Sequence, residues 1–162
     1  MNSTYEIRTA HESDAAAIAD LIYSTSLACC FSVEQPCPDW YASTLKAEPL
    51  LKLLRQEKMI WLLAEEGGTV VGVLALLDDN HVKYFFVHQD HQRRGVGKRL
   101  WAFALAARML PPSLSVRSSL FAVPVYECLG FTATEPPLVF KGMHYQTMEA
   151  QLAEIQRSLA AS

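Results

Sequence analysis

Hydrophobic residues recur with a helical period near the start of the chain. Ile18, Leu21 and Ile22 fall on one face of a helix, and Ser13 or Asp14 can cap its start. This pattern predicts a first helix ending near residue 23, after a short strand over residues 5–8. Residues 24–38 contain two prolines and are predicted to be irregular. A second helix is predicted over residues 39–56.

The pattern becomes strand-like in the middle of the chain. Residues 59–65 and 70–77 are nearly continuous apolar runs, with a predicted hairpin turn at residues 66–69 and a closing turn at residues 78–80. A third run covers residues 81–88. Three successive strands with tight turns predict an antiparallel meander. In the third strand we expect Val82, Tyr84 and Phe86 to lie on one face of the sheet, and Lys83, Phe85 and Val87 to lie on the other.

The second half of the chain predicts a mixture of helices and strands. A helix over residues 98–109 is stopped by Pro111 and Pro112, and a strand over 114–117 and a helix over 121–129 follow. Strands are predicted over residues 131–140 and 143–150, and a tail or short helix over 151–162. The order predicts one α+β domain over residues 1–162, with its core at about residues 5–150. Its mixed, mostly antiparallel sheet would have six or seven strands flanked by helices.

Composition and charge disfavour several classes of function. The chain is 51% hydrophobic and 19% charged, as is typical of a globular domain, and its net charge of -3 disfavours nucleic acid as a partner. No apolar run is long enough to cross a membrane, and the first eight residues do not resemble a signal peptide, so we expect a cytoplasmic protein. The cysteines lack the paired spacing of a metal site, so we expect free thiols and no metal at Cys29, Cys30, Cys37 and Cys128.

A glycine-rich turn lies between the third strand and the following helix. Its glycines allow a ligand to approach the backbone, and the first N–H groups of the helix form an anion site. The turn lacks the spacing of a P-loop and the third glycine of the dinucleotide fingerprint. One interpretation is a phosphate site, and the other is a connection that binds no ligand. The segment reads Gln92, Arg93, Arg94, Gly95, Val96, Gly97, and Lys98 follows it.

Residues 118–131 read S-S-L-F-A-V-P-V-Y-E-C-L-G-F. This segment closely resembles a signature of the GCN5-related N-acetyltransferases (GNAT), which usually ends in Y-E-x-L-G-F. The glycine-rich turn resembles the Q/R-x-x-G-x-G/A motif of the same family and precedes the signature, as expected. The resemblance covers roughly residues 5–150. It implies a GNAT-like fold with splayed central strands, in which residues 114–117 diverge from residues 81–88.

The resemblance also implies acetyl-CoA as co-substrate, without a metal. Backbone amides of residues 93–98 would hold the pyrophosphate, and the end of the third strand would hydrogen-bond the pantetheine arm. An N–H near Val87 would polarise the thioester carbonyl, and Tyr126 would act as general acid towards the departing thiolate. Ser119 stands where many members carry asparagine, so it is either a weaker cofactor contact or a helix cap. The implied cofactor-binding residues are Phe85, Phe86, Val87, Gln92, Arg93, Arg94, Gly95, Val96, Gly97, Lys98, Ser119 and Ala122.

The acceptor site and the general base stay open at this point. By resemblance, the segment with Phe31, Trp40 and Tyr41 covers the acceptor, and Glu34 and Asp39 are candidates for attracting a cationic amine. The candidate bases are His88 and His91, beside the turn. Lys83 and Tyr84 lie where some relatives keep a carboxylate.

The implied reaction transfers an acetyl group to a primary amine, expected on a small molecule, by direct attack in a ternary complex. One alternative is a non-catalytic acyl-CoA sensor or regulatory domain. Another is a partner protein that binds a different phosphate compound. A homodimer is a further open alternative.

Overall fold

The computed structural model describes residues 4–77 and 80–161. Within them an eight-stranded sheet has the order β1-β2-β3-β4-β5-β8-β6, with β7 pairing on β8. Every pair is antiparallel except β4 with β5. The strands are β1 (Glu6–Thr9), β2 (Met59–Glu66), β3 (Thr69–Leu77), β4 (His81–Val87), β5 (Ser113–Ser118), β6 (Thr132–Ala133), β7 (Leu138–Phe140) and β8 (Met143–Gln151).

The predicted α+β class with a mostly antiparallel sheet is confirmed, but the strand number is higher than predicted. The segment over residues 131–140 forms β6 and β7 rather than one strand, because Pro136 and Pro137 interrupt it and cannot donate ladder hydrogen bonds. The hairpin turn at residues 66–69 is confirmed. Residues 78–79 of the next predicted turn lie outside the described residues.

Six α-helices accompany the sheet within the described residues. The first helix extends well beyond residue 23, because Thr25 and Ser26 are buried in its last turns. The second predicted helix is divided in two. The hydroxyls of Ser43 and Thr44 donate to the carbonyls of Trp40 and Tyr41, which competes with helix propagation. The helices are α1 (Ala15–Cys29), α2 (Asp39–Ala42), α3 (Ala47–Leu54), α4 (Val96–Ala106), α5 (Val123–Cys128) and α6 (Leu152–Ala160).

Hydrophobic side chains fill both faces of the sheet. On the face covered by α4, α5 and α6, here called the α4 face, Leu100, Trp101 and Phe131 are fully buried. On the opposite face, here called the α1 face, α1 and α3 bury Ile22 and Leu50 against β2, β3 and β4. None of the helices within residues 4–77 and 80–161 combines the length and the apolar character needed to cross a membrane.

A β-bulge interrupts β4 at Lys83. Ala75 of β3 pairs with Tyr84, but Leu76 pairs with Val82, so Lys83 is an extra residue. Val82 therefore packs into the core of the α4 face and Tyr84 into the core of the α1 face. The prediction that Val82 and Tyr84 share one face is wrong, because the extra residue breaks the two-residue alternation.

The pairing of β4 with β5 ends at the same place. The two parallel strands pair only at His81 with Ser115 and at Val82 with Val116. Beyond this point β5 continues its ladder with β8 as far as Ser118, while β4 remains paired with β3. The predicted divergence of these two strands is confirmed, and a cleft opens between them.

Candidate active site

The diverging strands border a cavity of about 1130 Å³. It reaches from the start of α4 to the segment that joins α1 and α2 and to the hairpin of β7 and β8. Arg94, one of the predicted cofactor-binding residues, is exposed and does not line it. The predicted residues that do line it are Phe85, Phe86, Val87, Gln92, Arg93, Gly95, Val96, Gly97, Lys98, Ser119, Ala122 and Tyr126.

The backbone of β4 presents polar groups to this cavity. The N–H of His88 bonds to the carbonyl of Val71 on the β3 side at 2.8 Å. Because the N–H groups of successive residues point to opposite edges of a strand, those of Val87 and Phe85 point away from β3, towards the cleft. The carbonyl of Val87 lies on this edge too, where it accepts from Gln92 Nε2 at 3.0 Å. An extended ligand can therefore bind along β4 as an added strand would.

The glycine-rich turn leads directly into α4. Gly95 caps the helix with a φ of 80°, a left-handed conformation that favours glycine. A Cβ at Gly97 would lie 2.8 Å from Phe85 Cζ, so only glycine lets the helix start approach β4 this closely. Arg93 and Lys98 line this end of the cavity beside the first N–H groups of α4, so the local charge there is positive and favours an anion.

Gln92 connects three parts of the site. Besides donating to Val87, its Nε2 lies 3.6 Å from Cys29 Sγ at the end of α1. The side chain thus ties the turn to β4 and to α1. The structure indicates a positioning role for Gln92, beside the direct cofactor contact that the motif implied.

Tyr126 lies in α5 against the floor of the cleft. Its ring contacts Phe85 and Phe131 at centroid distances of 5.8 and 5.3 Å, and the residue is only 4% exposed. Burial raises the pKa of the phenol, and the nearby Cys30 thiol raises that pKa further. The Tyr126 hydroxyl therefore keeps its proton at neutral pH.

The loop before Tyr126 is held by local hydrogen bonds. Ser119 Oγ accepts from the N–H of Ala122 at 3.2 Å, which stabilises the turn before α5. It does not cap the helix itself, whose N-cap residue is Ala122 without a side-chain cap hydrogen bond. The helix begins at Val123 rather than near residue 121, with Pro124 in its first turn, where a missing N–H costs nothing.

Aromatic side chains enclose the other half of the cavity. Trp40 packs edge-on against Phe140 at 5.6 Å, and its Nε1 donates to the carbonyl of Lys141 at 2.8 Å. Phe31 and Tyr41 also line the cavity, with ring centroids 6.0 Å apart. The structure thus brings together the aromatic residues predicted to cover the acceptor.

The acidic candidates are not part of this wall. Glu34 and Asp39 are exposed and do not line the cavity. Their positions outside the cavity therefore give no support to the hypothesis that they attract a cationic amine.

The two histidine candidates differ in position. His88 does not line the cavity, and its Nδ1 accepts from the N–H of Asp90 at 3.1 Å. His91 does line it, but its Nδ1 is hydrogen-bonded to the Tyr5 hydroxyl at 3.0 Å. Among the described residues, no aspartate or glutamate lines the cavity. The geometry assigns no carboxylate base.

Sequence reasoning did not assign several residues to the cavity, among them Cys30, Thr25 and Arg117. Cys30 lies beside Tyr126 and Ser119, and burial raises the pKa of its thiol. Thr25 was placed in an irregular segment but belongs to α1. Arg117 was read only as part of a diverging strand, although its alternation with the apolar Leu114 and Val116 already indicated a polar face.

Comparisons with known proteins agree with this geometry. The family model described as an acetyltransferase (GNAT) domain matches residues 32–152. No curated protein sequence matches the chain.

Solved structures share the fold. A GCN5-related N-acetyltransferase from Rhodopseudomonas palustris has a TM-score of 0.76 at 23% identity, over 94% of this chain and 98% of the other. The PaiA N-acetyltransferase from Thermoplasma acidophilum, in complex with coenzyme A, has a TM-score of 0.72 at 16% identity, over 91% and 99%. YncA from Salmonella typhimurium, with its cofactor acetyl-CoA, has a TM-score of 0.68 at 24% identity, over 93% and 95%.

Proposed function

The chain belongs to the GNAT family of acetyltransferases, and on that premise we propose that it transfers an acetyl group from acetyl-CoA to a primary amine of a small molecule. One observation carries the proposal. The cleft between β4 and β5 joins an unpaired strand edge, the start of α4 and the Tyr126 side chain in one cavity. In the proposed reaction these would serve as a binding edge, an anion site and a proton donor.

The residues present fit the co-substrate. The N–H groups at the start of α4, with Arg93 and Lys98, would bind the diphosphate. The edge of β4 at Phe85 would hydrogen-bond the pantetheine amides. Two proteins of the same fold were solved with coenzyme A or acetyl-CoA, which supports this assignment.

Bound acetyl-CoA would supply an activated acetyl thioester. The N–H of Val87 points into the cleft and would polarise the thioester carbonyl. The buried Tyr126 hydroxyl holds its proton at neutral pH and would donate it from Oη to the departing sulfur.

The Cys30 thiol in the cavity is not activated for covalent catalysis. Burial raises the pKa of Cys30, so this thiol stays protonated and is a poor nucleophile at neutral pH. A covalent acetyl-cysteine step therefore has no activated group at this position. Direct transfer in a ternary complex needs only the amine, the polarised carbonyl and the proton donor.

Calorimetric titration with acetyl-CoA, followed by thiol release over a panel of primary amines, tests the proposal. We expect acetyl-CoA to bind much more tightly than S-acetylpantetheine, which lacks the diphosphate, and thiol release to depend on the amine. Binding without release for any amine would favour an acyl-CoA sensor. No binding at millimolar acetyl-CoA would overturn the proposed function and leave a different phosphate compound as the ligand.

A further inference from the structure

The side chains that line the cavity give it a positive charge. No aspartate or glutamate lines it within the described parts of the chain, whereas several lysines and arginines do. Arg93 and Lys98 belong to the start of α4. Lys83 and Arg117 come from the two diverging strands, and none of the ion pairs among the described residues involves either of them.

Arg117 faces the acceptor half of the cavity. Its strand neighbours Leu114 and Val116 pack into the core of the α4 face, so Arg117 lies on the α1 face. Its guanidinium is 5.6 Å from the ring centroid of Tyr145. The side chain is thus on the opposite face of the sheet from α4.

The bulge places the Lys83 side chain on the α1 face as well. Its ammonium lies 5.7 Å from the centroid of the Tyr84 ring, which packs into the core of the α1 face. Both cations therefore lie on the side where Trp40 and Tyr41 line the cavity.

A buried hydroxyl adds a polar contact on this side. Thr25 lines the cavity and is 4% exposed, and its Oγ1 has no hydrogen-bond partner among the described residues. A buried polar group without a partner is costly, so a ligand that hydrogen-bonds it gains affinity.

We propose that the amine acceptor carries an anionic group, a carboxylate or a phosphate, on an apolar body, and that Arg117 and Lys83 bind this group. The inference rests on the proposed transferase function and narrows its acceptor. An anion forms charge-assisted hydrogen bonds with these cations, and the aromatic walls receive the apolar body. A polycationic amine would instead meet uncompensated like charge.

The proposed reaction does not require a carboxylate base among the described residues that line the cavity. The ammonium group loses a proton to water through the open cavity, and its nitrogen then attacks the acetyl carbon. The C–N bond forms, the C–S bond breaks, and the sulfur takes the proton of Tyr126. The new amide nitrogen then releases its extra proton to solvent, and the Tyr126 phenolate takes up a proton from solvent, which restores the phenol.

Matched amine pairs test the inference. L-phenylalanine is compared with 2-phenylethylamine and tyramine O-phosphate with tyramine, and spermidine serves as a polycation. Binding is measured by calorimetry with saturating desulfo-CoA, which cannot react, and turnover is measured separately as thiol release from acetyl-CoA. We expect the anionic member of at least one pair to bind about tenfold more tightly or better. The pair that shows the preference distinguishes carboxylate from phosphate.

Variants locate the anion site. Arg117→Gln and Lys83→Gln should each reduce the anionic preference severalfold without changing acetyl-CoA affinity. Lys58→Gln, at an exposed lysine in the turn before β2, should leave the preference intact.

Three results would overturn the inference. The neutral or polycationic amines could bind as tightly as the anionic ones or more tightly, or neither anionic amine could bind. The third result is a loss of acetyl-CoA affinity in Arg117→Gln, which would place Arg117 in the cofactor site. An anionic preference in binding without any thiol release would contradict the transferase proposal and support the anion site.

Discussion

The ring of Phe85 occupies the space that a side chain at position 97 would need. A Cβ at Gly97 would lie 2.8 Å from Phe85 Cζ. The same ring contacts Tyr126 and Trp101, each at a centroid distance of 5.8 Å. Gly97, Phe85 and Tyr126 thus form one line of contact from the start of α4 to α5.

Gly97→Ala should weaken acetyl-CoA binding by about tenfold, because the added methyl displaces the Phe85 ring and overpacking typically costs about 1–3 kcal/mol. Calorimetric titration measures the change. Ala102→Val, at an exposed position of the same helix, is the matched control and should bind normally. Unchanged affinity in Gly97→Ala would show that the turn does not hold the cofactor.

Tyr126→Phe should lower kcat by about a hundredfold, since general acid catalysis typically contributes about 10²–10⁴. The KM for acetyl-CoA should change little, because the ring and its contacts with Phe85 and Phe131 remain. Steady-state kinetics of thiol release measures both constants. Tyr23→Phe, at a partly exposed tyrosine of α1, controls for the loss of a phenol elsewhere. An unchanged kcat would remove Tyr126 from the mechanism.

Trp40→Phe should raise the KM of the acceptor and leave that of acetyl-CoA unchanged. The substitution keeps an aromatic ring but removes the 2.8 Å hydrogen bond from Nε1 to the carbonyl of Lys141. One such bond contributes about 0.5–1.5 kcal/mol, so we expect an increase of about threefold to tenfold. An equal rise in both KM values would mean that Trp40 supports the whole fold rather than the acceptor wall.

Asp14→Asn should lower the free energy of unfolding by about 1 kcal/mol at neutral pH. Arg8 donates to both carboxylate oxygens at 2.8 Å and lowers the pKa of Asp14, and the N–H of His11 lowers it further. This contribution is present above the unfolded-state pKa and is lost as pH falls through the lower folded-state pKa.

The difference between wild type and Asp14→Asn should therefore disappear in acid. Urea unfolding at about pH 7 and at about pH 2, below the ordinary range of a carboxyl group, measures it. Glu12→Gln, which breaks the exposed pair with Arg55, should have little effect at either pH. A difference that persists at the lower pH would assign the loss to something other than the carboxylate charge.

Local sequence signals predicted the parts of the fold that depend on neighbouring residues. The glycines of the turn, the prolines after α4 and the apolar runs of β2 and β3 each act within a few positions, and the elements they predict are present. The end of α1 was not predicted, because Thr25 and Ser26 are polar and only their burial against the sheet keeps them helical.

The same distinction between local and tertiary determinants applies to the candidate site. The residues around Gly95 and Tyr126 lie in two short motifs, so their placement in one cavity could be predicted from the resemblance. The proposed acceptor half includes Trp40, Lys83 and Arg117, which come from three separate elements. That they line one cavity depends on how the strands diverge and on the bulge in β4, and neither leaves a local signal.

The extra residue in β4 also bears on how such a site can be gained or lost. Pairing with β5 stops at Val82, immediately before Lys83. Without Lys83, β4 would form a regular ladder with β3, every other residue would keep its face, and the local twist that turns the strand away from β5 would be lost. Amino-acid replacements at this position preserve the length of the strand, and with it the opening. The in-frame loss of a single codon would remove the bulge beside the opening, so we expect insertion and deletion to affect this cleft more than substitution.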